Sequence, residues 1–303
     1  MSLKVPPSSI PSLGQTLGLP DGALEACIRD LPGLVSRCPK RKPSGSMRRV
    51  YAPRDPLHDI QQRILHKLLR PIEHSSELHG SVVGRNPKTN VTPHVGAFVS
   101  ISMDITDFYP SISKARVNRI WIDLGYSRRV AQALTHLTTF DQHLAQGFPP
   151  SSDIANIVLE QDLLPRLRPL CSQHHLTLTM YQDDLTISGG ARLRSLGNLI
   201  QRILLQSGYP VNVDKTRISN PGQRHMSTGL VYNTKPNIPK ERYRALRGEL
   251  HRCLTNGVIT EAVDRPIWQY KHHLASRIEH VRYHNPSRAN NLQIVFDRID
   301  WGI

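Results

Sequence analysis

Two adjacent acids, Asp183 and Asp184, stand in the stretch Tyr181-Gln182-Asp183-Asp184, between two segments of alternating pattern. Before them Leu176, Leu178 and Met180 alternate with Thr177, Thr179 and Tyr181; after them Leu185 and Ile187 alternate with Thr186 and Ser188. A period of two marks half-buried strands, so the spacing predicts a β-hairpin with the acids at its tip. The loop is very short, yet it carries Gln and Asp where a tight turn prefers Asn-Gly. Like charges side by side repel, which asks for a cation between or beside them. A divalent metal shared by carboxylates and substrate phosphates would fill that place. A second acidic group, Met103-Asp104-Ile105-Thr106-Asp107-Phe108-Tyr109, ends the strand-like stretch 95–105. If that strand neighbours the hairpin, Asp104 joins Asp183 and Asp184 around a pair of ions. Ions about 3.5–4 Å apart can activate an attacking hydroxyl and stabilise the leaving oxygen of an in-line phosphoryl displacement. Taken singly, each acid could be a turn residue or a surface ion pair. Two such clusters flanked by β-pattern in a basic chain point to chemistry.

The remaining elements must carry that sheet. Leu57, Ile60, Ile64, Leu65, Leu68, Leu69 and Ile72 follow the 3.6-residue period and predict an amphipathic helix over 57–72. Ser113 is placed to cap a helix from Lys114, with Val117, Ile120, Trp121 and Leu124 on one face. Further helices are expected over 21–29, over 152–164 with Pro165 ending or kinking it, and over 193–206. Short strands are expected at 210–213 and 229–232, and the last section, 239–303, reads as helical and basic. Residues 1–56 read as loop-rich outside the helix at 21–29. The order strand, helix, helix, hairpin, helix, strand predicts an α+β fold, a sheet with helices packed on one face.

Charge narrows the partners. Lys and Arg number 39 against 24 Asp and Glu, a net charge of +15, and such an excess in a folded chain points to a polyanion, nucleic acid above all. It recurs along 37–49, 63–70, 242–252 and 271–288, as a long track would require, although a solvated basic surface is the plainer alternative. No run of about 18 apolar residues predicts a membrane helix, and Pro6, Pro7 and Pro11 near the start do not resemble a secretion signal. Four cysteines without a Cys-x-x-Cys pair argue against a zinc site or disulfide scaffold. A cytoplasmic protein is expected.

Asp104 within Asp-Ile-Thr-Asp-Phe-Tyr-Pro-Ser-Ile, the run Gln146-Gly147-Phe148-Pro149-Pro150-Ser151-Ser152 followed by Ala155-Asn156, and Tyr181-Gln-Asp-Asp occur in an order that resembles bacterial reverse transcriptases, most closely the retron type. Met47-Arg48-Arg49-Val50-Tyr51-Ala52-Pro53, His79-Gly80 with Gly84-Arg85, Thr92-Pro93-His94, Asn212 to Thr216 and Ser227-Thr228-Gly229-Leu230-Val231 extend the match from about Met47 to the C-terminus. The chain departs from the retron pattern with Val91 for Ala, Ser152 for Pro, Gln182 for Ala and Ser227 for Val.

The resemblance implies a right-hand polymerase of fingers, palm with an antiparallel sheet, and helical thumb. Residues 1–235 would form an N-terminal segment, fingers and palm, with the palm core at about 96–113 and 145–233, and residues 236–303 the thumb. Asp104, Asp183 and Asp184 would be catalytic and would hold two Mg2+ ions with the carbonyl of Ile105. Arg48, Asp107, Tyr109, Gln146, Gly147 and Lys215 would serve the incoming dNTP. Tyr109 would exclude a 2′-hydroxyl, Arg48 would grip the triphosphate with Lys42 as a second cation, and Lys215 could protonate pyrophosphate. Thr228, Gly229 and Leu230 would brace the primer end, while Arg244 and Arg247 follow a duplex. Tyr109 as a core aromatic, Lys215 as surface charge and His94 as a buried histidine satisfied by backbone remain open readings of the residues alone. Implied partners are a structured noncoding RNA, its RNA–DNA product, dNTPs and a separate effector protein. The implied activity is DNA synthesis primed from an RNA 2′-hydroxyl, in anti-phage defence. Rival readings are another bacterial reverse transcriptase, diversity-generating or stand-alone, and an RNA-binding scaffold with an idle centre. No nuclease-, maturase- or RNase H-like stretch is seen, which argues against a self-sufficient intron protein.

Overall fold

Alternation in 99–105 and 177–189 produces a sheet with two unlike faces. In the computed structural model, which describes residues 6–41, 45, 47–258, 262 and 265–302, the antiparallel sheet has four strands. Their order is Val211–Ser219, Val99–Ile105, Asp184–Gly189 and Thr177–Tyr181. Asp104 lies opposite Asp184, which also faces Tyr181 across the hairpin. The face built by Val99, Ile101, Met103, Ile105, Leu185 and Ile187 is buried in the main core. The helices Ser151–Asp162 and Leu193–Gln206 contribute Ile154, Val158, Ile200 and Leu204 to that core. Removing this apolar area from water is the main term that holds the sheet in place.

The opposite face is polar, yet it too is buried. Ser100, Thr179, Thr186 and Ser188 are each no more than 3% exposed. Their hydroxyls find partners across the face, as buried polar groups must. The His94 ring spans Ser188 Oγ at 2.7 Å and Thr179 Oγ1 at 2.8 Å, and Thr186 donates to Ser227 Oγ at 2.7 Å. His94 is thus a buried histidine satisfied by side-chain hydroxyls, not by backbone. Burial pushes its pKa down to about 4 from an ordinary 6.5, with His79 adding to the effect.

A second core lies beyond this face. Leu246 and Leu250 of the helix Lys240–Asn256, Leu274 and Ile278 of Ile267–His284, and Leu292 of Pro286–Phe296 pack with Leu230, Tyr232 and Val91. Tyr243 and Leu254 of the first of these helices pack against the same core beside Leu246 and Leu250. No helix among the described residues is long and apolar enough to cross a membrane.

Several elements differ from expectation for local reasons. The 57–72 helix is α-helical only over Leu57–Ile64 and continues as a π-helical turn, Leu65–Leu69. The wider turn buries Leu65 as well as Leu68 and Leu69. The N-terminal stretch holds a further helix, Ile10–Leu17, capped by the Ser9 hydroxyl; Pro11 sits in its first turn, where no amide is missed. Pro165 opens the helix Leu164–Gln173 after the preceding one ends at Asp162. Strand 95–105 begins only at Val99. The strand expected at 210–213 extends to Ser219 and bulges, its pairing jumping from Asn212–Asp104 to Arg217–Ser102.

The depressed pKa of His94 sets a pH dependence. The unfolded chain takes up this proton first, so the contribution is complete above about pH 6.5 and is lost as the pH falls toward 4, by about 3 kcal/mol. His79, also near 4, acts in the same direction. Urea unfolding measured across pH 7.5 to 4 should show a shallower pH slope in His94→Asn than in the parent; parallel slopes would refute the assignment.

Candidate active site

The hairpin tip joins Tyr181 to Asp184 through Gln182 and Asp183 alone. Gln182 adopts φ 59°, a left-handed conformation that costs energy in a residue with a side chain. Gly80 backs this turn: a Cβ there would lie 2.6 Å from the Gln182 nitrogen. The Asp183 carbonyl accepts from the Ile105 amide at 2.8 Å, tying the tip to the end of the neighbouring strand. The tertiary fold therefore brings all three predicted acids to one end of the sheet.

Their environments differ. Burial raises the pKa of Asp183, and the charge of Asp104 raises it further. Asp104 itself accepts from Lys215 Nζ at 3.1 Å on both oxygens. The strand bulge at 213–216 presents this lysine. Asp184 is the most enclosed: Oδ1 accepts from Ser102 Oγ at 3.0 Å, and Oδ2 from Ser227 Oγ at 3.3 Å and the Thr228 amide at 3.2 Å. Burial nevertheless keeps its pKa above the usual carboxylate range. Among the described residues no three His, Cys, Asp or Glu side chains gather at metal-binding spacing. Asp184 is held by its hydrogen-bond donors, while Asp104 and Asp183 act on each other as like charges, with Lys215 and Arg48 as the nearby cations. This pair of like charges, only partly offset by Lys215 and Arg48, suits a hard cation, which takes oxygen ligands.

Next to the acids opens a pocket of about 500 Å3, lined by Arg48, Tyr109, Gln146 and Gly147 together with Lys40 and Arg41. Four of the predicted nucleotide-binding residues, Arg48 among them, thus share one cavity with two further cationic side chains. The charge of Arg48 reaches both Tyr109 and Asp183 and favours their anionic forms. The strand Tyr51–Pro53 is pinned to this wall by the Tyr51 amide on the Gln146 carbonyl at 2.8 Å. Gly147 has φ 108°, and a Cβ would overlap the Tyr51 carbonyl oxygen. Asp107 lies apart: it is exposed, with φ 45°, at the head of the short helix Phe108–Ser111. Lys215 lies on Asp104 and not in the pocket lining. Lys42 falls outside the described residues.

Tyr109 is held at its hydroxyl. It donates to Gln182 Oε1 at 2.8 Å and shares a hydrogen bond with Ser152 Oγ at 2.9 Å, and Gln182 Nε2 donates to Ser81 Oγ at 2.9 Å. Sequence reasoning missed Ser81, Ser102 and Ser152. For Ser102 a signal existed, since it lies two residues before Asp104 and so shares its face.

Thr228 and Gly229 join strands Met226–Ser227 and Leu230–Val231 with φ 48° and 78°, as in a type I′ turn. The turn touches the acids through the Thr228 amide. Leu230 is a core residue, only 1% exposed. Arg244 and Arg247 are exposed on the helix Lys240–Asn256.

No protein-family model matches the chain. It is 33% identical over 274 residues to the retron Mx65 reverse transcriptase of Myxococcus xanthus, covering 84% of this chain and 62% of that protein. It is 30% identical over 215 residues to the retron Ec86 reverse transcriptase of Escherichia coli, covering 70% and 67%. The retron Se72 reverse transcriptase of Salmonella heidelberg is 32% identical over 223 residues, covering 69% and 58%. The chain thus spans less than two thirds of the length of the Mx65 and Se72 proteins. Among solved structures, a telomerase from Candida albicans superposes with a TM-score of 0.48 at 12% identity, over 89% of this chain and 58% of that one.

Gly147 offers a test of the pocket wall. Gly147→Ala forces a Cβ against the Tyr51 carbonyl in a left-handed backbone. It should lower stability by about 1–3 kcal/mol and weaken nucleoside triphosphate binding, checked by urea unfolding and equilibrium titration. Unchanged binding would separate this wall from the nucleotide site.

Proposed function

The chain belongs to the retron reverse transcriptases, and from that premise we propose that it is an RNA-directed DNA polymerase that copies a structured noncoding RNA. The observation that carries the reading is the meeting of Asp104 and Asp183 beside a cationic pocket that contains Tyr109 and Arg48. Residues 96–113 and 145–233 act as the palm core and residues 236–303 as the thumb.

Asp104, Asp183 and Asp184, with the Ile105 carbonyl, would hold two Mg2+ ions. Magnesium supplies a lowered hydroxyl pKa at the attacking oxygen and charge compensation at the leaving one. The protein's own groups do the rest. Arg48 offers a planar fork of donors that matches phosphate oxygens bidentately, and Lys40 and Arg41 add charge on the same side of the pocket. Gln146 and Gly147 line the base and sugar end; Asp107, outside this lining, would reach the nucleotide only from beyond the pocket. Tyr109 presents its ring beneath the sugar, where a 2′-hydroxyl would clash. Lys215 carries the ammonium that can pass a proton to departing pyrophosphate.

The turn Thr228–Gly229 supports the primer end, since its amide already fixes Asp184. Leu230 roots that turn in the core. Arg244 and Arg247 are exposed and would meet backbone phosphates, which give affinity without sequence preference. Priming from a 2′-hydroxyl of the same RNA, and anti-phage defence with a separate effector in the cytoplasm, complete the proposal.

Purified protein, the RNA encoded beside its gene, Mg2+ and labelled dNTPs should yield a DNA product joined to the RNA. The double variant Asp183→Asn with Asp184→Asn, or Asp104→Asn alone, should extend nothing detectable, and chelation should stop the wild type reversibly. Product sequencing should return one defined copy of the RNA. Undiminished extension by the double variant, or a random or homopolymeric product, would reject the reading.

A further inference from the structure

Gln182 occupies the position between the tyrosine and the two acids, and its side chain does not point into solvent. Its Oε1 takes the Tyr109 phenol proton at 2.8 Å, and its Nε2 reaches Ser81 Oγ at 2.9 Å. Ser152 supplies the second bond to the Tyr109 oxygen, at 2.9 Å. The phenol has one proton and gives it to Gln182, so the Ser152 hydroxyl is the donor in that second bond.

Both anchors of Gln182 are themselves fixed. Ser81 follows Gly80, whose carbonyl accepts from Asn156 Nδ2 at 2.8 Å, and the His79 amide donates to the Met180 carbonyl at 2.8 Å. The Gln182 backbone, at φ 59°, packs against Gly80 so closely that no Cβ fits between them. The result is a chain of hydrogen bonds, Ser81 to Gln182 to Tyr109 to Ser152, that ties the pocket-lining Tyr109 and Ser152 to the segment after Gly80 behind them.

We infer that Gln182 is a positioning residue for sugar discrimination: it holds the Tyr109 ring rigid, so that a nucleotide bearing a 2′-hydroxyl meets a wall that cannot yield. This rests on the polymerase reading, in which Tyr109 lies beneath the sugar. A steric filter is only as selective as its wall is stiff. A tyrosine freed at its hydroxyl can swing about its side-chain torsions and admit the larger sugar, at a cost set by the hydrogen bonds it breaks. Gln182 does not touch the nucleotide in this scheme; it acts through the Tyr109 oxygen.

The test is single-nucleotide extension with a dNTP and the matching NTP opposite one template base. The proteins are the wild type, Gln182→Met, Tyr109→Phe and the double variant. Gln182→Met keeps the side-chain length and removes the acceptor. It should lower the dNTP-to-NTP ratio of kcat/KM by about 3- to 10-fold, the range one net hydrogen bond can supply. The change should come mainly through faster NTP use. Tyr109→Phe should lower the ratio similarly, and the double variant should go no further, because both remove the same bond.

Ser152→Ala, which cuts the other bond to that oxygen, provides the same readout if Gln182→Met proves insoluble. The inference is overturned if Gln182→Met slows both nucleotides alike and leaves the ratio intact. It is equally overturned if the two substitutions multiply. A wild type that extends nothing removes the polymerase reading and this inference together, an outcome distinct from extension with unaltered discrimination.

Discussion

Carboxylate crowding at one end of the sheet is the constraint to which the surrounding structure answers. Register sets Asp104 opposite Asp184, and the hairpin tip adds Asp183. In a partly desolvated site such charges repel far more than in water. Each acid receives a different remedy: Lys215 for Asp104, three donors for Asp184, and a backbone amide with the charges of Lys215 and Arg48 for Asp183. Burial and a neighbouring carboxylate raise the pKa of both Asp183 and Asp184, Asp104 acting on the first and Asp183 on the second. A site organised this way is poised for a cation, because binding one removes a penalty the fold already bears.

The polar face of the sheet transmits that arrangement to the C-terminal helices. Sheets usually turn one face to a core and the other to water; here the second face is covered. Ser227 links the two functions, accepting from Thr186 and donating to Asp184. Leu230 and Tyr232, a few residues on, belong to the C-terminal core. The short hairpin is therefore a mechanical link between the acids and the helical unit that carries Arg244 and Arg247. Hydroxyl and imidazole contacts suit such a joint because they fix direction as well as distance.

Gln182, Ser152 and Ser227, three of the positions at which the chain departs from the retron pattern, all make hydrogen bonds in this site. Gln182 and Ser152 meet on the Tyr109 hydroxyl, and Ser227 meets Asp184. Apolar residues there would leave those oxygens to other partners. The departures thus form a consistent polar set around the same centre.

Residue type and period two were enough to place Asp104, Asp183 and Asp184 at strand ends, and the 3.6-residue period was enough to find helices such as Leu193–Gln206 and Lys114–Asp123. These are local properties: the pattern of burial is written into neighbours a few residues apart. The helix Arg128–Thr138 was not anticipated, although Val130, Leu134 and Leu137 of its buried face follow the helical period. Nor was the bulge at 213–216 that delivers Lys215 to Asp104, because a break in pairing depends on the partner strand. The different fates of the three acids, the clamp on Tyr109 and the covering of the polar face all join residues tens of positions apart. Only the tertiary structure decides such contacts, because each requires two separate elements to be packed before either side chain has anything to bind.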